Sequence, residues 1–190
     1  RYGGLPMGKI SIASFSARKK GNCSSLADYI ISKSLNYQVE YIAIKDLNIH
    51  ECKNCNYECM SKKCIYRQDD AYMYLRSTKK ADKVIWLVPM YCGNPSSLYF
   101  KLNERSQDFW MSNESYYDEF LNKLFIIGIG NVGMANPFRQ IFELMYHDSE
   151  VSYEGHILIL GTQKYSLNSI KDFLIARTGV KEEVDKFLNL

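Results

Sequence analysis

Five short apolar runs, each set off from the next by a stretch with helical spacing, constrain this chain more than any other feature. Residues 9–14 (KISIAS) read as a first strand, and residues 24–34 as a helix whose apolar positions recur every three to four residues behind a polar cap. Residues 38–44 (QVEYIAI) alternate as a second strand. Asp69 and Asp70 open a helix through Lys80, because carboxylates suit the positive end of the helix dipole. Residues 83–88 (KVIWLV) and 124–130 (LFIIGIG) are near-continuous apolar runs, the pattern of strands covered on both faces of a parallel sheet. Helices over residues 96–110 and 137–146, a fifth strand over 155–160 and a mostly helical tail from 166 to 190, broken near Gly179, complete the pattern. The expected fold class is therefore α/β: a doubly wound, five-stranded parallel sheet in strand order 2-1-3-4-5.

At 190 residues the chain is long enough for one domain that buries roughly 70% of its unfolded surface. Residues 7–190 are expected to form it, with residues 1–6 an expression remnant ahead of Met7. No apolar run approaches the roughly 20 residues of a membrane span, so no membrane partner is expected. The net charge of +3 is spread along the chain rather than gathered in a basic block, which argues against nucleic acid. Six cysteines without a secretion signal fit a reducing, cytoplasmic setting.

Four of those cysteines, Cys52, Cys55, Cys59 and Cys64, lie in the pattern C-x2-C-x3-C-x4-C. That density suits a metal or redox centre better than core packing. They occupy a cysteine-rich loop, residues 50–68, inserted between strands 2 and 3. His50 beside them is either a ligand or proton relay, or a solvated side chain.

In a doubly wound sheet a ligand sits beyond the carboxyl ends of the strands. Attention falls on the loops after strands 1, 3 and 4. The first, residues 14–25, offers hydroxyls, a guanidinium and a helix N-terminus without any Asp or Glu, which suits a phosphate. The alternative is a polar turn with helix-capping serines. Residues 89–93 (PMYCG) make a tight turn with a flat Tyr91, or a plain strand exit. Gly128, Gly130, Asn131 and Gly133 supply a third loop, or merely end a strand. Arg18, Lys19 and Lys20 either attract a further phosphate, as in a pyridine nucleotide, or form a solvated turn. No Ser-His-Asp order or GxSxG elbow is present, His147 and His156 lack partner spacing, and hydrolysis is not expected.

These loops resemble the NADPH-dependent FMN reductase family, whose fold is flavodoxin-like. Ser16-Ala17-Arg18 followed by Gly21-Asn22-Cys23-Ser24 is similar to its "GSPR…GNT" phosphate loop, with Phe15 and Ala17 where glycine and proline are usual. Pro89-Met90-Tyr91-Cys92-Gly93 resembles its "PxYxG" loop, and residues 101–105 (KLNER) the stretch ending in "DR" on the next helix. The cysteine segment followed by Asp69-Asp70 resembles the iron-sulfur flavoprotein branch, whose spacing is C-x2-C-x2-C before a longer gap; this chain has one residue more between Cys55 and Cys59.

The resemblance implies FMN held by Ser14, Ser16, Arg18, Asn22, Cys23, Ser24, Pro89, Met90, Tyr91, Cys92, Gly93, Gly130 and Asn131, with no catalytic side chain, because the flavin carries the chemistry. Spacing and resemblance together point to a [4Fe-4S] cluster on Cys52, Cys55, Cys59 and Cys64, against empty thiols or a reversible disulfide. The expected activity is a flavoprotein oxidoreductase that moves electrons between flavin, cluster and a redox partner. Alternatives are an NAD(P)H-dependent FMN, quinone or nitro reductase without a cluster, and a zinc-knuckle interaction module. A homodimer or homotetramer is expected, with the aromatics of residues 109–117 either at an interface or capping the chain's own core.

Overall fold

The computed structural model describes residues 8–53, 55–131, 137–165 and 173–190. Its elements are β1 (Lys9–Ser14), α1 (Asn22–Lys33), β2 (Gln38–Ala43), α2 (Asp70–Thr78), β3 (Lys83–Tyr91), β4 (Asn94–Pro95), α3 (Ser97–Met111), α4 (Glu114–Lys123), β5 (Leu124–Gly130), α5 (Phe138–Glu143), β6 (Ile157–Gly161) and α6 (Thr178–Leu188). The sheet order is β2-β1-β3-β5-β6, all parallel, with the two-residue β4 antiparallel to the end of β3. The five long strands thus stand in the predicted succession. The short arm is an addition the apolar pattern did not reveal.

Alternation along β3 shows why its sequence is apolar throughout. Val84, Trp86 and Val88 pack into one core layer, while Ile85 and Leu87 pack into the other. The first layer lies beneath α2, α3, α4 and α5; the second holds Ile10, Ile12, Ile127 and Ile129 against α1 and α6. Each such side chain contributes roughly 1.5–3 kcal/mol on burial. Trp86 also donates from its indole nitrogen to the Tyr74 hydroxyl at 2.7 Å, so its one polar atom is satisfied inside the core.

Two expectations change. Residues 114–123 form α4, which was not foreseen, and Phe109, Trp110, Tyr116 and Phe120 pack together where α3 turns into it. Phe109, Tyr116 and Phe120 serve the chain's own core, whereas Trp110 and Tyr117 are only half-buried and Met111 is exposed. The tail is interrupted near Gly179 as expected: a 3-10 turn at Leu174–Ala176 ends in extended backbone at Arg177, and α6 begins at Thr178 with Gly179 in its first turn, where a glycine is better tolerated than in a helix interior. Residues 166–172 of the predicted helical tail lie outside the described residues. Finally, the helix predicted over 137–146 is α5 followed by a 3-10 turn at Leu144–Tyr146.

Candidate functional site

At the carboxyl ends of β1, β3, β5 and β6, a cavity of about 200 Å3 is lined by Ser16, Arg18, Asn22, Cys23, Pro89, Met90, Tyr91, Ile129, Gly130, Asn131 and Thr162. The first loop is built from its own hydrogen bonds. Arg18 N donates to Ser16 Oγ at 3.2 Å, and Gly21 N donates to Ser24 Oγ at 3.0 Å. Ser24 returns a bond to the Gly21 carbonyl, so it caps α1 rather than lining the cavity. Ser14 likewise lies beneath the loop and accepts from Ser16 N. Asn22 Oδ1 accepts from Leu174 N at 2.9 Å, which ties the start of α1 to the chain ahead of α6. No acidic residue occurs in the first turn of α1, so the helix dipole and Arg18 face the cavity without a competing carboxylate.

Phe15, where the resemblance places glycine, points away from this cavity. Its ring is fully buried against Trp86 at 5.1 Å and Tyr99 at 6.1 Å, and only its backbone belongs to the loop. Ser96 Oγ donates to the Phe15 carbonyl at 2.7 Å, joining the first loop to the β3–α3 connection. That connection is a two-residue hairpin: Tyr91 pairs with Asn94 across Cys92 and Gly93, whose φ values of 49° and 76° are left-handed. Cys92 and Gly93 form the turn and do not line the cavity, whereas Tyr91, 44% exposed, stands at its mouth. Gly130 is needed for close approach, since a Cβ there would lie 2.3 Å from Met90 Cβ. Gly128 faces Phe138 and Ile159 in the core, and Gly133 lies outside the described residues.

Ile129 and Thr162 were missed. Thr162 follows β6 and donates its backbone N–H to the Gly130 carbonyl at 2.8 Å. The end of β6 falls beside that of β5 through pairing of Gly161 with Gly130, a consequence of topology that no motif announces.

Burial pushes the Cys23 thiol up to about 12, with a hydrogen bond from Ser14 and the charge of Arg18 acting the other way. Cys23 is therefore a neutral, packed thiol in the wall of this cavity.

A second cavity, about 720 Å3, is lined by all four clustered cysteines, together with Lys53, Tyr57, Met60, Tyr66 and, from α3, Glu104, Arg105, Gln107 and Asp108. The extra residue between Cys55 and Cys59 is absorbed by two successive left-handed residues, Asn56 at φ 48° and Tyr57 at φ 56°, so Cys59 still reaches the same cavity. Burial raises the Cys59 thiol above its ordinary value, and the charges of Cys55, Cys64, Cys52 and Asp108 add to it. Ionising the Cys59 thiol in this setting would therefore be helped by a compensating cation. Among the described residues no three His, Cys, Asp or Glu side chains converge on a single-ion site. His50 does not line this cavity; it stacks on Tyr66 with centroids 4.7 Å apart.

Two ion pairs fix this segment to the domain. Arg67 Nε meets Asp108 Oδ2 at 2.7 Å, and Cys64 N donates to Asp108 Oδ1 at 3.0 Å. Arg105 Nε meets Asp69 Oδ2 at 3.3 Å with both side chains almost fully buried, and Asp69 also caps α2 by accepting from Tyr72 N. The predicted role of Asp69 at a helix start is thus half of its task. The KLNER stretch, read beforehand only as a family likeness, places Arg105 against the cysteine segment.

The profile of a family described as NADPH-dependent FMN reductase matches residues 9–147. An iron-sulfur flavoprotein of Archaeoglobus fulgidus is 31% identical over 101 residues, which is 53% of this chain and 49% of that protein. The chain thus spans about half the length of this curated relative. Among solved structures, Smu.1420 from Streptococcus mutans superposes with a TM-score of 0.63 at 12% identity, covering 96% of this chain and 100% of the other. An FMN-dependent NADH-azoreductase from Bacillus anthracis, solved in complex with FMN, gives a TM-score of 0.62 at 12% identity, with 95% and 99% covered. At such identities the two structures speak for the fold alone, and both share the α/β architecture.

Proposed function

The chain belongs to the NADPH-dependent FMN reductase family, a family of flavin oxidoreductases, and from that premise we propose that residues 7–190 are one domain that binds one FMN and acts as an oxidoreductase. The observation that carries the reading is the acid-free cavity at the strand ends, where Arg18, Ser16 and the N-terminus of α1 face one another. There Ser16, Arg18 and the backbone of the first loop would hold the phosphate, while Pro89, Met90, Tyr91, Gly130, Asn131 and Thr162 would bound the ring. Bound FMN supplies hydride acceptance and electron transfer in one- or two-electron steps. The chain's own part is to bind, orient and shield: Met90 and Gly130 close the floor, and Tyr91 leaves the mouth open to NAD(P)H or an acceptor.

We extend the proposal to a [4Fe-4S] cluster on Cys52, Cys55, Cys59 and Cys64. Supporting it are four thiols around one cavity, their mutual repulsion, the flanking cations Lys53 and Arg105, and the name of the Archaeoglobus relative. Helix α3 starts just after the hairpin that carries Tyr91 and runs to the cysteine cavity, which its Arg105 and Asp108 line. Ser97 begins that helix beside the flavin loop, and Arg105 lies eight residues on, about 12 Å at helical rise. The first loop would hold the flavin and the four cysteines would hold the cluster, two groups that together would supply electron transfer between a nicotinamide donor and a redox partner, in a homodimer or homotetramer.

Anaerobically purified protein should contain one FMN per chain, iron and acid-labile sulfide. Arg18→Ala should weaken FMN roughly ten- to a hundredfold, the loss of one charge-assisted contact. Colourless protein that takes up no FMN at micromolar concentration would refute the flavin assignment. Absence of iron and sulfide, with FMN present and NAD(P)H turned over, would leave the cluster-free reductase as the function.

A further inference from the structure

Arg105 presents its guanidinium to three different acceptors from inside the fold. Nε faces Asp69 Oδ2, Nη1 donates to Cys64 Sγ and Nη2 donates to the Tyr66 carbonyl, each at 3.3 Å. The side chain is 4% exposed, so water does not substitute for any of these partners. A carboxylate and a carbonyl are ordinary acceptors for such a group. A neutral thiol is a weak one, and aiming a buried cation at sulfur suits sulfur that carries negative charge. Cys64 Sγ accepts a second bond, from the Tyr66 N–H at 3.5 Å, so two donors meet on this one sulfur. Asp69 holds the fork in place: its side chain is fully buried, and it is itself fixed by N–H donation from Tyr72 and His50.

We propose that Arg105 is a positioning residue for the cysteine centre, holding Cys64 by a charged hydrogen bond that makes the centre easier to reduce. The inference rests on the reading that the four cysteines hold an iron-sulfur cluster. A donor to a ligand sulfur stabilises the form carrying the additional electron, because that form places more negative charge on sulfur. Reduction adds one electron from an external reductant, and Arg105 keeps its proton throughout. Arg67, the neighbouring guanidinium, pairs with Asp108 and Ser112 and, among the described residues, donates to no sulfur, so it anchors the segment without this effect.

The test is an anaerobic redox titration of the full chain with FMN bound, following the cluster by EPR under dithionite. Arg105→Lys keeps a charge beside Asp69 but lacks the fork that reaches Asp69 and Cys64 together. With iron, sulfide and FMN contents equal to the parent's, its reduced-to-oxidised ratio at the parent midpoint should fall about tenfold, equivalent to about 59 mV for one electron. Arg67→Lys should leave that midpoint in place. Asp69→Asn, which keeps a helix-capping side chain but removes the competing charge, should move the midpoint in the opposite, positive direction.

An unchanged midpoint in iron-replete Arg105→Lys, or an equal shift in Arg67→Lys, overturns the proposal. Should Arg105→Lys lose its iron, an Asp69→Asn midpoint that stays put or moves negative overturns it as well. A parent protein without iron and sulfide overturns the cluster reading itself, and with it this role, an outcome distinct from all the others.

Discussion

The cavity at the strand ends and the cavity of the cysteines are assembled by opposite routes. The first draws its lining from separate segments between Ser16 and Thr162, brought together by sheet order and closed by bonds to backbone carbonyls: Thr162 N–H on Gly130 O, and the Ser96 hydroxyl on Phe15 O. The second takes its sulfurs from one short stretch, but side chains from α3 and the start of α2 hold that stretch in place. A parallel sheet positions loops by topology, so its site needs few special side chains. An insertion without a sheet of its own needs buried charges to fix it, and buried charges are fragile.

The largest expected effect is therefore on the cysteine side. Asp69→Ala removes the α2 cap, the acceptor for His50 N–H and the partner of buried Arg105 at one stroke. Leaving one member of a buried pair uncompensated costs about 3–5 kcal/mol. Urea unfolding should show that loss, and limited proteolysis should cut residues 50–68 first while FMN uptake persists. Equal loss of FMN uptake and of segment order would show that the two cavities are not separately supported.

Gly130→Ala strikes the other side. The added methyl would overlap Met90 Cβ, a backbone-proximal atom that cannot swing aside, so β3 and β5 must separate at their ends. Overpacking of this kind costs about 1–3 kcal/mol. FMN affinity should fall with it while cysteine reactivity stays as in the parent. Ser96→Ala should cost about 1 kcal/mol through the lost bond to the Phe15 carbonyl. Its signature is a weaker FMN complex with the core otherwise intact, checked by titration calorimetry.

The same contrast governs what could be read beforehand. β1 and β5 fall on the predicted residues because their apolar runs are bounded by Lys9 and Ser14, and by Lys123 and Gly130. Helix α4 escaped because Asn113 and Ser115 beside Tyr116 and Tyr117 have middling helix propensity, and the helix is held by Tyr116, Phe120 and Leu121 packing on the core. Of the cavity residues, those in contiguous loops were legible. Thr162 was not, since only strand pairing places it beside Gly130. Arg105 was visible as part of KLNER, yet nothing local to α3 reveals that the residue it grips lies forty-one positions earlier.

Cys23 sharpens the comparison most gently, because the same side chain type sits in both cavities under opposite conditions. In the flavin-loop wall its thiol is raised from 9.0 to about 12 by burial, whereas Cys52 and Cys92 are exposed. A thiol that ionises later in the folded state than in the unfolded one supports folding fully below its unfolded value. That support is withdrawn as pH climbs from about 9 toward 12, because the unfolded chain then loses a proton that the folded chain retains. The slope attributable to this one group is about 1.4 kcal/mol per pH unit within that window. Cys23→Ser should match the parent's pH dependence of stability from pH 6 to about 8 and fall off less steeply above about 9, read as the difference between the two proteins so that the tyrosines cancel. Iodoacetamide at pH 8 should modify Cys92 in the native protein, and Cys52 as well once iron is removed, and spare Cys23 in both; modification of Cys23 at a rate comparable to Cys92 would mean that the wall of the flavin-loop cavity opens readily in solution.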